Sequence, residues 1–145
     1  MSPSPICHRI TSTEELSFCL KVRHEVFVIG QKVPIDLEVD GEDNACWHYL
    51  ATQDSKPVAT ARVAFPEEGL TKIQRVAVLP ELQGKGIGKA LMLHILADLK
   101  GHASKIKLDS QTHALPFYEK LGFQKIGEEF MDAGIPHYTM TMNLK

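Results

Sequence analysis

The stretch Gln83-Gly84-Lys85-Gly86-Ile87-Gly88-Lys89-Ala90 combines glycines, lysines and the opening of a helix, which suits it to hold a phosphate. The first N–H groups of a helix have no partner inside it, and they sit at the positive end of its dipole, so they attract anions. Glycines 84, 86 and 88 let a ligand approach the backbone closely, and Lys85 and Lys89 add positive charge. A Walker loop is excluded, because Gln83 stands where that motif needs Gly and Ala90 where it needs a metal-binding hydroxyl. A dinucleotide fingerprint is excluded as well, because its third glycine would fall at Lys89. The pattern that fits is Q-x-x-G-x-G, carried by Gln83, Gly86 and Gly88.

The flanking residues predict the elements that hold this stretch in place. Val76-Ala77-Val78-Leu79 reads as a buried strand, which Pro80 ends because it has no N–H to donate. Ile87, Leu91, Ile95 and Leu99, with Met92 and Leu96, form one face of an amphipathic helix, and Gly101 caps its end.

The composition is that of an ordinary globular chain. Its 145 residues suffice for one core, and one domain spanning 1–145 is expected. A net charge of −2 without a basic cluster speaks against nucleic acid as a partner. No apolar run approaches the roughly 20 residues that span a bilayer, so no membrane association is expected. The opening Met1-Ser2-Pro3-Ser4-Pro5 lacks the basic and apolar segments of a signal peptide. Cys7, Cys19 and Cys46 are odd in number and widely spaced, which suits free thiols in a reducing, cytoplasmic setting. None of the seven histidines pairs with another His or Cys at ligand spacing, and no metal is expected.

Along the chain, Ile6–Ile10 reads as a first strand, followed by a helix capped by Ser12 or Thr13 and ending near Gly30. Residues 31–46 read as a long acidic loop, broken by Pro34 and Gly41. Strands at 47–52 and 57–65 join through a turn at Gln53-Asp54-Ser55-Lys56, and a longer strand covers about 71–79. After the main helix come a parallel strand at 105–109, a short helix from Pro116 to Leu121 with Gly122 as cap, and strands at 123–126 and 137–144. In the last strand Tyr138, Met140, Met142 and Leu144 share one face. The expectation is an α+β fold: a mixed, mostly antiparallel sheet of six or seven strands with about four helices.

Two motifs now stand at a fixed separation: the glycine-rich loop, and Phe117-Tyr118-Glu119-Lys120-Leu121-Gly122-Phe123 on the short helix. In both, and in element order from end to end, the chain resembles the GNAT superfamily of N-acetyltransferases. The resemblance implies the GNAT fold and acetyl-CoA (coenzyme A) as cofactor. It implies transfer of an acetyl group to a primary amine of a small molecule or peptide, by direct attack in a ternary complex. Cofactor contacts are then expected from Val76, Ala77 and Val78, from Gln83 through Ala90, from Ser110 and Gln111, and from Phe117 and Tyr118. The main chain of Val76 and Val78 would bond the thioester and pantetheine, and Tyr118 would protonate the leaving thiolate. Removing the acceptor's proton falls to Glu38 or His137, with Asp40 and Glu25 as further candidates. Glu38 leads, because loop acids would also draw in a cationic amine. A homodimer fits the habit of the superfamily.

Within that superfamily the chain is similar to the ElaA- and YjcF-type branch. It shares R-x-x-V-F-V at Arg23–Val28, E-x-D at Glu38–Asp40 and G-I-P-H at Gly134–His137. It departs from the branch at Gly30, where Glu is usual before Gln31. The branch passes on no common acceptor. The alternatives are a non-catalytic acyl-CoA-binding module, or a longer donor such as succinyl-CoA.

Overall fold

The computed structural model describes residues 4–144, so part of the amino-terminal stretch read against a signal peptide lies outside it. Seven strands form one sheet in the order β1-β2-β3-β4-β5-β7-β6. They are β1 (Ile6–Arg9), β2 (Trp47–Gln53), β3 (Lys56–Glu67), β4 (Leu70–Val78), β5 (Lys105–Gln111), β6 (Gln124–Asp132) and β7 (Ile135–Asn143). Only β4 and β5 pair in parallel. Four α-helices complete the fold: α1 (Thr13–Arg23), α2 (Ile35–Glu38), α3 (Ile87–Leu99) and α4 (Leu115–Leu121).

Local chemistry accounts for most boundaries. The Ser12 side chain accepts from the Glu15 N–H and starts α1, which runs on as π-helical turns over His24–Gly30. The β2–β3 turn has positive φ at both Asp54 (52°) and Ser55 (63°), which suits the twist of a two-residue hairpin. Gly101 and Gly122 take positive φ just beyond α3 and α4, as expected.

Three boundaries differ from the sequence reading. The acidic loop contains the short helix α2 and a 3-10 turn at Asp43–Ala45. β3 runs on through Pro66. β6 reaches Asp132 where a strand ending at Ile126 was expected. Gly127, at φ 72°, forms a bulge there and pairing resumes at Phe130–His137.

The sheet has two covered faces. Ile73, Ile106, Leu108 and Met140 join α3, Tyr118 and Phe123 in the main core, the α3 face. The opposite face carries α1, whose Val22 packs with Val26 and Ala77 in a smaller cluster. Between the Thr60–Ala77 and Arg62–Gln74 pairs, β4 has one residue more than β3, a bulge at Arg75 and Val76. Arg75 takes φ 55° there. The extra residue changes the alternation, so that Ile73, Val76 and Val78 all face the main core while Ala77 turns to α1.

Candidate functional site

The β4–β5 ladder covers only Thr71–Ile73 against Ile106–Leu108. Beyond the bulge the strands part, β4 staying with β3 as far as Val78 and β5 with β7 as far as Gln111. A cavity of about 600 Å³ fills the gap and reaches both faces of the sheet.

On the α3 face the cavity meets the glycine-rich loop. Gly84 and Gly86 sit at φ 78° and 86°, and a Cβ on either would touch nothing within 4 Å, so the space above them is clear. A Cβ on Gly88 would lie 3.4 Å from Phe117 and from Val78, which is how α3 seats so closely on the strand. Gly86 is the N-cap of α3; no side chain caps that end and its first turn has no acid. The donors of the first turn therefore remain available to an anion. Among the described residues Lys85 and Lys89 form no ion pair.

The cofactor residues expected from the sequence divide into two groups. Val76, Ala77, Val78, Gln83, Gly84, Gly86, Gly88, Lys89, Ser110, Gln111, Phe117 and Tyr118 line the cavity, whereas Lys85, Ile87 and Ala90 do not. The Ile87 side chain is in the core, and the Ala90 N–H is bonded to the Gly86 carbonyl at 3.0 Å. The Val78 carbonyl, expected to be free, accepts from the Gln83 amide at 3.1 Å. The Ser110 hydroxyl donates to the Gln111 carbonyl at 2.9 Å.

Tyr118 is 8% exposed and packs edge-on against Phe117 and Phe123. Among the described residues its hydroxyl has no hydrogen-bond partner. Burial pushes its pKa above the ordinary phenol range, so it keeps its proton.

The α1 face is built from ion pairs. Three arginines, Arg23, Arg62 and Arg75, interlock with Glu38, Asp40 and Asp43. Arg23 holds Glu38 at 3.0 Å and Asp43 at 2.7 Å, and Arg62 takes both oxygens of Asp40 at 2.9 Å. Arg75 reaches Glu38 at 2.8 Å and the Leu37 and Glu38 carbonyls at 3.2 and 3.3 Å. The Arg62 hydrogen bonds hold the Asp40 carboxyl well below its usual range. At Asp43 burial acts upward, but Arg23 and Arg62 outweigh it and lower the pKa. His48, whose Nε2 lies 2.8 Å from the Asp43 carbonyl, is pushed down by burial.

This lattice engages the carboxylate expected to lead as base. Glu38 lines the cavity but is 3% exposed, and guanidinium donors engage both its oxygens. Asp40 is engaged in the same way, and neither Asp40 nor Glu25 lines the cavity.

His137 is placed differently. It lines the cavity at 8% exposure and stacks on Phe130. Its Nδ1 is 2.7 Å from the Ile135 carbonyl, an acceptor only, so Nδ1 carries a hydrogen, and in the neutral ring the lone pair is then on Nε2. Among the described residues Nε2 has no partner.

Two contributions were not legible in the sequence. Gln31 and Gln111 exchange amide hydrogen bonds of 3.3 and 2.8 Å, linking the π-helical segment's end to β5 across the cavity lining. Arg75, which anchors the loop to the bulge, has no sequence signal, because left-handed φ in a strand follows from register alone.

A sheet splayed around a cavity, with a glycine-capped helix on one face and a buried tyrosine beside it, defines an acyl-CoA-dependent acyltransferase of the GNAT type. The chain belongs to that family: residues 25–144 match the Acetyltransferase (GNAT) domain. Within the family it falls in the ElaA/YjcF-type branch. It is 39% identical to YjcF, an uncharacterized N-acetyltransferase of Bacillus subtilis, over 88% of this chain and 91% of that protein. Its fold is similar to an acyl-CoA N-acyltransferase from Pseudomonas aeruginosa, with TM-score 0.82, 30% identity and coverage of 96% and 99% of the two chains. Escherichia coli ElaA gives a TM-score of 0.84 at 28% identity, covering 94% of this chain and 98% of that one.

Proposed function

We propose that residues 1–145 act as one acetyltransferase domain that transfers an acetyl group from acetyl-CoA to the primary amine of a small molecule or peptide. Attack is direct, in a ternary complex. The donor supplies an acetyl group already activated as a thioester. The first-turn N–H groups of α3, the open surface over Gly84 and Gly86, and Lys89 hold its diphosphate. Ser110, Gln111 and Phe117 border its pantetheine arm, and Gln111 must exchange its bond with Gln31 to take part.

The chain's own groups handle the protons and the developing charge. The N–H groups of Val76 and Val78 lie on the side of β4 that has lost β5, and they serve the carbonyl oxygen as it becomes an oxyanion. Tyr118 gives its hydroxyl proton to the departing sulfur. His137 Nε2 accepts the proton of the attacking amine, directly or through one water. Glu38 positions Arg23 and Arg75 and does not take that proton.

The observation that carries this reading is the pairing of two uncommitted groups on one cavity: the Tyr118 hydroxyl and His137 Nε2. A module that only binds acyl-CoA would have no need of either. The test is thiol release from acetyl-CoA with a panel of amines, for the wild-type chain and for Tyr118→Phe. Amine-dependent release that falls in the variant, with acetyl-CoA affinity retained, supports the proposal. Tight cofactor binding without release across the panel would favour the binding module, and faster release from succinyl-CoA would revise the donor.

A further inference from the structure

The part of the cavity on the α1 face describes the acceptor more closely, an inference that rests on the acyl-transfer reading above. Its wall is apolar, made by Val26, Phe27, Val33, Leu37 and Ile135. Leu37 is 52% exposed, with nothing of the described chain covering it fully.

The charges on this face are almost all committed. Arg75 is spent on Glu38 and Asp40, and Arg62 on Asp40 and Asp43. Lys72 faces Asp109 at 4.0 Å, and Asp109 also accepts from the Thr139 hydroxyl at 2.8 Å. His113 shares Gln111 Oε1 with Gln31, at 2.8 Å. Among the described residues, neither cation that lines this part of the cavity, Lys72 or Arg75, is therefore without an acidic partner. One carboxylate does remain: Asp132 lines the cavity and has no partner among the described residues.

Strand register places Asp132 beside the base. Phe130 pairs with His137 and Asp132 with Ile135, so these residues share one face of the β6–β7 hairpin and Asp132 is the diagonal neighbour of His137. A buried imidazole with an unpartnered Nε2 thus lies between an apolar wall and a free carboxylate. That combination suits an ammonium on an apolar body. An anionic substituent would meet Asp132 without any compensating donor.

We propose that the acceptor is an amine whose apolar body carries no anionic group, and that Asp132 is the specificity residue that draws its ammonium towards His137.

The experiment measures kcat/KM on acceptors matched in amine basicity but differing in a remote group. 4-Methylbenzylamine is set against 4-(aminomethyl)benzoate, and hexylamine against 6-aminohexanoate. The wild-type chain is expected to prefer the uncharged member of each pair by about tenfold or more. Asp132→Asn should raise KM for the uncharged members about three- to fivefold with kcat nearly unchanged, as loss of one solvent-screened charge contact implies. Asp132→Lys should narrow or reverse the preference within each pair. A purely structural Asp132 would not move that ratio. Equal or better use of the carboxylates by the wild-type chain, or a ratio unmoved in Asp132→Lys, overturns the inference and leaves acyl transfer standing. Bound acetyl-CoA with no release from any amine would overturn the acyl-transfer reading, and this one with it.

Discussion

The two faces of the splayed sheet solve opposite problems with different materials. On the α3 face the recognition surface is mostly backbone: helix-start N–H groups and glycines whose positive φ leaves the space above them clear. On the α1 face it is mostly side chain, with three guanidiniums locked to three carboxylates around an apolar wall. A backbone site depends on a few contiguous residues and, in the proposed function, recognises the diphosphate of the donor. A side-chain site draws on residues far apart in the chain and can change with the acceptor.

If that contrast is sound, damage to each face should have a different signature. The largest loss of stability is expected from Arg23→Met, which takes one of two guanidinium partners from the buried Glu38 and one from Asp43. About 3–5 kcal/mol should disappear from the unfolding free energy measured in urea. Tyr118→Phe should do the reverse, cutting kcat by about 10²–10³ while leaving the urea midpoint almost where it was, since the hydroxyl has no partner to lose. Gly86→Ala forces a Cβ onto a residue at φ 86°. It should cost about 1–2 kcal/mol and weaken acetyl-CoA binding more than acceptor binding, read by calorimetry.

A finer comparison separates the two jobs of Arg75. Arg75→Gly keeps the bulge comfortable and loses the anchor to Leu37 and Glu38, whereas Arg75→Ala loses the anchor and keeps the strained φ. The glycine variant should be the more stable of the two by about 1 kcal/mol, with acceptor KM raised in both. Equal stabilities would mean that the side chain alone holds the bulge.

Acid should weaken the α1 face through His48 first and through Asp40 and Asp43 at lower pH. His48 has a lowered pKa, so its neutral form contributes stability above its ordinary value near 6.5, and this is lost as pH falls below that. Asp40 and Asp43 also have lowered pKa values; their contribution persists until pH drops below about 3.8 and fades as the folded carboxylates protonate. Tyr118 has a raised pKa, so any contribution from it is complete below about 10 and declines only at higher pH. His48→Gln should flatten the first stage in denaturation curves taken between pH 8 and 5.

The same contrast explains what could be read from the sequence. The loop at 83–90, the strand before it and the helix after it are contiguous, so residue types and spacing alone located the α3 face. Tyr118 followed from its own short motif. The α1 face joins residues 31, 38, 75, 111, 132 and 137, which only the register of β4, β5, β6 and β7 and the packing of the 31–46 segment bring together. Glu38 looked like a base because its arginines are 15 and 37 positions away in the chain. The sequence understates β6, because Gly127 and its acidic neighbours resemble a turn, yet there they form a bulge inside a strand.

The extra residue in β4 also works like a reading frame. Upstream of Arg75 the odd positions face the main core; downstream the even ones do. Deleting either Gln74 or Arg75 would restore simple alternation and rotate every later side chain of the strand by half a turn. The two valines that close over α3 would point into the layer of α1, and the small alanine between them would be left against the aromatic rings.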